Sequence, residues 1–190
     1  MIRTLAGLLL HPRKTLGALA QAGDPRDGLV PVLLLGALYA AFALLLHLGG
    51  HAPSVTLVPI PRDRYYLWQA GFVAPLFVAL WWIYGLTAHG LSRLAGGRGD
   101  RGATFAVIGV GYAVPVTVFF VLPDLIVYLV AGHGALARAM PFYAPLALFG
   151  VLTLCALGLR AVHGLSPARA ALVSLTGFVL QGAAGGILLR

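Results

Sequence analysis

The sequence predicts an all-α membrane protein, a bundle of five transmembrane helices with short interfacial helices ahead of it. Three observations carry this. The 190 residues are 60% hydrophobic and only 9% charged, where a soluble domain carries about 25% charged residues. The apolar residues gather into runs of the ~20 needed to cross a bilayer. The Lys and Arg fall mostly in the short segments between runs, as juxtamembrane charges do.

The net charge of +8 would suggest nucleic acid in a soluble chain. Here no basic face interleaved with aromatics forms, so nucleic acid is not the expected partner and the lipid bilayer is. Cys155 is the only cysteine, which excludes an intrachain disulfide. It lies in an apolar run and reads as a small core hydrophobe.

Residues 1–28 are expected to form a cytoplasmic segment. Ile2, Leu5, Leu8 and Leu9, then Leu16 and Leu19, recur at near-helical spacing beside Arg3, Arg13 and Lys14. Short helices in the membrane plane and a flexible basic tail are the two readings. Ala20-Gln21-Ala22 looks like a signal-peptide cleavage site, but His11-Pro12-Arg13-Lys14 interrupts the short apolar run before it, so the segment is expected to be retained.

The membrane domain, 29–190, is expected to cross at about 29–48, 65–90, 103–123, 144–160 and 168–189. The turn Asp24-Pro25-Arg26-Asp27-Gly28 leads into the first span, with Pro31 in its first turn, where a missing amide proton is tolerated. Gly49–Pro61 reads as a loop. The second span opens on Tyr65, Tyr66 and Trp68 and carries Trp81, Trp82 and Tyr84 toward its other end. Tyr66 and Ile83 are about 25 Å apart along a helix, so these aromatics are expected at opposite interfaces. Pro75 between them should kink the helix.

Leu91 to Pro115 holds a basic, glycine-rich hinge in which Arg93, Arg98 and Arg101 crowd a linker reversed at Gly96-Gly97. The third span follows, and about 31 Å of helix from Ala103 reaches Pro123-Asp124 at the far interface. At that depth Asp124 reads as the cap of a further short helix, Leu125–Val130. At the bilayer midplane it would be a functional carboxylate. Gly132–Pro141 reads as a second outer loop, and Ser166-Pro167 as the start of the fifth span.

The charges set orientation. With the N-terminus inside, Arg3, Arg13, Lys14, Arg26, Arg93, Arg98, Arg101, Arg160 and Arg169 lie inside, against Arg62, Arg64, Arg138 and Arg190 outside. That bias predicts N-terminus in and C-terminus out.

Several motifs are weaker than they look. Gly97-Arg98-Gly99-Asp100-Arg101-Gly102 matches a dinucleotide pattern, which has meaning only between a strand and a helix. No cofactor is expected. His11, His89 and His163 fall inside, and His47, His51 and His133 outside. His47 and His51 would share a helical face as metal ligands, with His133 a third candidate, although Gly49-Gly50 ends that helix and interfacial anchoring is the preferred reading. Gly36 with Ala40, Ala37 with Ala41, and Gly182 with Gly186 beside Gln181 have helix-contact spacing, for packing within the chain or for a homo-oligomer. No nucleophile is paired with a base, so an enzyme is not expected.

Five spans, an inner N-terminus and the hinge resemble the Yip1 family of small polytopic membrane proteins. The residues that carry the resemblance are Gly96-Gly97 in the basic hinge, then Gly111-Tyr112 and Pro115 in the third span. Asp27-Gly28-Leu29-Val30-Pro31 is a looser echo of an acidic, proline-ended motif before the first span. In eukaryotes the resemblance implies vesicle traffic and Rab-type GTPase partners, but only 28 residues precede the first span here. The Ala, Gly and Arg bias suits a high-GC prokaryote, which makes the plasma membrane the expected location. Two functions follow: an assembly or scaffold protein acting through helix contacts with itself or another membrane protein, or a small transporter whose route passes Pro115, Asp124 and Gln181.

Overall fold

The computed structural model describes residues 7, 8, 10–53 and 60–188. Ile2, Leu5 and Leu9 of the first leucine segments, part of the loop Gly49–Pro61, Leu189 and Arg190 lie outside the described residues. Every described element is helical: α1 (Pro12–Ala22), α2 (Arg26–Leu48), a 3₁₀ turn (Arg62–Arg64), α3 (Tyr65–Leu94), α4 (Arg101–Val116), a π turn (Thr117–Val121), α5 (Leu122–Ala131), α6 (His133–His163) and α7 (Pro167–Leu188).

Four helical stretches among the described residues are long and apolar enough to cross a membrane: Arg26–Leu48, Arg62–Leu94, Arg101–Ala131 and His133–His163. The chain is a multi-pass membrane protein. A further 22-residue helix, α7, stands where the sequence places the fifth span.

The third stretch is the hub. Two-thirds of its apolar window is buried, against about one-third for each of the other three. Helix α4 touches α1, α2, α3 and α6, while α7 packs against α3 and α6. Within lipid no hydrophobic force draws helices together, so close approach must come from small residues. A Cβ placed on Gly109 would lie 2.5 Å from Gly28 Cα and overlap the Gly28 carbonyl. One on Gly36 would lie 2.8 Å from Ala74 Cα. Both crossings are backbone to backbone. Gly85 makes room for the Phe105 ring and Gly158 for Val107.

Polar side chains reinforce these crossings. Trp81 Nε1 donates to the Phe105 carbonyl at 3.0 Å, and its ring meets that of Phe105 edge-on at 5.2 Å. The Tyr84 hydroxyl bonds Ser174 at 2.9 Å and so ties α3 to α7. Of Trp81, Trp82 and Tyr84, which the sequence groups toward one interface, two turn into the bundle. Trp81 and Tyr84 are buried and only Trp82 is exposed, because indole and phenol groups also settle inside a bundle when a partner accepts their proton.

Other boundaries also move. Helix α2 begins at Arg26, so Pro31 lies in its second turn rather than its first. Gly132–Pro141 is helical from His133 onward. Ala135, Leu136, Ala137 and Arg138 are good helix formers. Pro141 and Pro145 sit inside the helix, where lipid-embedded neighbours can satisfy the carbonyls they free. The only break is Gly132, at φ 78.

Helix α1 is packed rather than free. Leu16 is fully buried in a cluster with Leu8, Val107, Val110 and Val114, between α4 and α6.

Replacing Gly109 by Ala is expected to lower unfolding stability by about 2 kcal/mol or more, because backbone rather than a flexible side chain must yield. Gly71, where a Cβ meets nothing within 4 Å, is the control. Gly71→Ala should be neutral or stabilising by up to about 1 kcal/mol in the same denaturation measurement in detergent.

Candidate functional site

The densest polar arrangement forms where the glycine hinge meets the end of α6. Helix α3 ends in a glycine cap. The Gly97 amide donates to Ser92 O at 2.8 Å and the Gly96 amide to Arg93 O at 3.1 Å, with Gly96 at φ 90, a conformation open to glycine. Helix α4 then starts on Asp100, whose carboxylate accepts from the Ala103 amide at 3.0 Å. That N-cap satisfies a donor which the first helical turn leaves open.

Three glycines of the hinge are there for contact. A Cβ on Gly97 would lie 2.8 Å from His163 Cβ, one on Gly99 would overlap Val162, and one on Gly102 would overlap the Gly23 carbonyl. The G-x-G-x-x-G spacing is therefore a packing feature. No strand precedes it among the described residues.

His163, the last residue of α6, is buried beneath this hinge. Its Nδ1 accepts from the Gly99 amide at 3.1 Å, and its Nε2 lies 2.9 Å from Thr104 Oγ1. An amide can only donate, so Nδ1 is bare and the ring carries its proton on Nε2. The Thr104 hydroxyl gives its own proton to the Asp100 carbonyl at 2.7 Å. Its remaining lone pair faces His89 Nδ1 at 3.2 Å. One threonine thus joins α3, α4 and α6. From the neighbouring helix, Arg169 of α7 donates to the Ala95 carbonyl at 3.1 Å, and a cation at the end of α3 complements its dipole.

These residue types could compose a nucleophile, a base and an orienting acid, but the geometry does not. The Asp100 carboxylate faces the Ala103 amide rather than His163, and the Thr104 proton is committed to a carbonyl. What the arrangement does is lock three helices at one end of the bundle. The Ala103 amide, helped by those of Gly102 and Arg101, holds the Asp100 carboxyl below the usual carboxylate range, against a smaller opposing effect of burial.

The sequence candidates lie elsewhere. His47 is in the last turn of α2, and Gly49 ends that helix, so His47 and His51 do not share a face. His51 instead stacks on His133, centroids 4.4 Å apart and rings nearly parallel. The Tyr66 hydroxyl approaches His133 Nε2 at 3.4 Å. Among the described residues no group of three or more His, Cys, Asp or Glu is placed to hold a metal. Asp124 is not the cap of a separate helix. It lies in the first turn of α5, continuous with α4 through the π turn, and no side chain caps that turn. Its carboxylate accepts from Tyr143 of α6.

Pro115 packs against α6, where a Cβ on Gly150 would lie 2.9 Å from Pro115 Cβ. Gln181 is buried beside the Tyr112 hydroxyl without reaching full hydrogen-bond geometry. Of the small-residue pairs, Gly36 is used within the chain. Gly182 and Gly186 are exposed and a Cβ on either meets nothing within 4 Å. Sequence reading missed the joining of His89, Thr104 and His163. The even division of histidines between the two sides was its only trace, since residues 74 apart show no spacing signal.

A protein-family model described as the Yip1 domain matches residues 6–189. The chain belongs to the Yip1 family. Comparison with the curated proteins and with the solved structures finds no match. In this Yip1 domain several of the residues that carried the resemblance are helix contacts. Gly28 meets Gly109, Gly111 receives the Cys155 sulfur, and Pro115 fits Gly150.

Two outcomes are expected for the hinge. Thr104→Val should cost about 1–3 kcal/mol by stranding the His163 N–H in a buried site, read as a lowered thermal midpoint in detergent. The folded-state pKa of Asp100 lies below its unfolded value, so its stabilisation is present above the unfolded value and disappears as pH falls through the folded one. A thermal-midpoint profile from pH 7 to pH 3 should therefore decline less steeply at its acid end in Asp100→Asn than in the unsubstituted chain.

Proposed function

We propose that this Yip1 protein is a nonenzymatic assembly or scaffold component, acting through helix contacts with a second copy of itself or with another membrane protein. The single observation that carries this reading is where its polar chemistry goes. Asp100, Thr104, His89 and His163 tie α3, α4 and α6 together, and Tyr84 ties α3 to Ser174 of α7. Side chains that an enzyme would present to a substrate face other helices instead.

The transporter reading draws less support. Pro115 is packed on Gly150, and Cys155 fills the space at Gly111. Two hollows open on the surface, one lined by Arg13, Leu157, Arg160, Ala161, Gly164 and Leu165, the other by Arg64, Leu67, Trp68, Gly71 and Phe72. Neither reaches Pro115, Asp124 or Gln181.

In this proposal the chain crosses a bacterial-type plasma membrane five times, with α7 as the last span. Its 22 residues extend about 33 Å, enough for a hydrocarbon core of about 30 Å. The charge bias puts the hinge, Arg160 and Arg169 on the cytoplasmic side. Gly182 and Gly186, open on α7, offer a surface on which a neighbouring helix can approach closely.

Tags at Met1 and Arg190 should be reached by impermeant reagents from opposite sides. Tags found on the same side would exclude five spans. Crosslinking in native membranes should recover a self-adduct or a membrane-protein adduct that Gly182→Leu weakens several-fold. Recovery of neither would remove the scaffold reading.

A further inference from the structure

The first of the two surface hollows has a volume of about 380 Å³ and lies where α1 meets the end of α6 and its connection to α7. Two arginines from separate elements meet there, Arg13 on α1 and Arg160 on α6. The Arg160 Nε–H is enclosed and has no hydrogen-bond partner. That enclosed donor costs the folded chain stability, and Arg160 meets the hollow through the rest of its side chain, which lines it. The only ion pair among the described residues joins Arg64 to Asp63, so no carboxylate neutralises either arginine.

We propose that this hollow binds a phosphate group, carried either by a lipid headgroup or by a free phosphate. Guanidinium forks match the oxygens of a phosphate in pairs, and two forks from different helices can grip one group from two directions. Leu157, Ala161 and Leu165 give the same hollow an apolar wall, suited to the glycerol and first methylenes of a phospholipid.

A basic residue in the last turn of a helix has a simpler role, which is to offset the negative end of the dipole. That role fits Arg160 taken alone. It requires neither Arg13 from another element nor an enclosed Nε–H. The dipole also opposes an anion here, but it amounts to about half a charge against two full positive ones. Attraction wins.

The site makes no demand on the scaffold reading and stands or falls separately. The test uses the full chain, purified in detergent and stripped of lipid, with thermal midpoint and native mass spectrometry as readouts. One arm titrates a short-chain phosphatidylglycerol, and the other titrates inorganic phosphate at constant ionic strength. Saturable stabilisation by the lipid alone assigns the headgroup as the source, and saturable stabilisation by inorganic phosphate assigns the free ion.

In either case Arg160→Gln and Arg13→Gln should each weaken binding about tenfold or more, while Arg138→Gln, exposed near the other end of α6, leaves it unchanged. Arg13 is exposed on α1, so its substitution tests the site even if Arg160→Gln fails to fold. Absence of saturable binding in both arms overturns the proposal. So does equal binding by the unsubstituted chain and Arg13→Gln.

Discussion

Two stretches of bare backbone meet where α2 crosses α4, with Gly28 against Gly109, and the rest of the bundle is built around that contact. In water the apolar surface of α4 would bury itself for a large hydrophobic gain. In lipid that gain is absent, and packing contacts together with a few enclosed hydrogen bonds must replace it. Close crossings let the dispersion contacts of many atoms accumulate. They also bring Trp81 of α3 within reach of the Phe105 carbonyl of α4.

The same constraint explains the composition of the hinge. A reversal between two spans could be made by many polar loops. This one must fit beneath the end of α6 and against the turn that precedes α2, so glycine stands at each point of contact. Once those backbones touch, the Gly99 amide reaches His163 and the Thr104 hydroxyl reaches two imidazoles. The polar lock is thus a consequence of close packing.

Much of the helical architecture was legible because composition and run length respond directly to the solvent. Leu29 to His47 can hardly be other than a membrane helix. Legibility failed where a residue has two physical uses. Trp81 and Tyr84 read as aromatics near one end of a span, and nothing in the sequence says that their polar ends meet acceptors inside the bundle. Gly132–Pro141 reads as a loop, but a helix already supported by neighbours carries Pro141. The site was less legible than the fold. His89, Thr104 and His163 lie on three helices drawn together by contacts such as Gly85 with Phe105 and Gly158 with Val107, and linear spacing holds no record of them. Arg13 and Arg160 are hidden in the same way, since their meeting depends on α1 seating Leu16 among Val107, Val110 and Val114.

The π turn at Thr117–Val121 sets the register of everything beyond it. Pro115 brings no amide proton, and the chain widens just after it, so that the Leu122 amide reaches back to Thr117 instead of Val118. A widened turn accommodates one residue more than an ordinary one, and each residue of a regular helix turns the side-chain direction by about 100°. The meeting of Asp124 with Tyr143 is therefore set by a count of residues: tightening that coil by a single position would swing the acid toward another quarter of the bundle while leaving the chemistry of every side chain untouched.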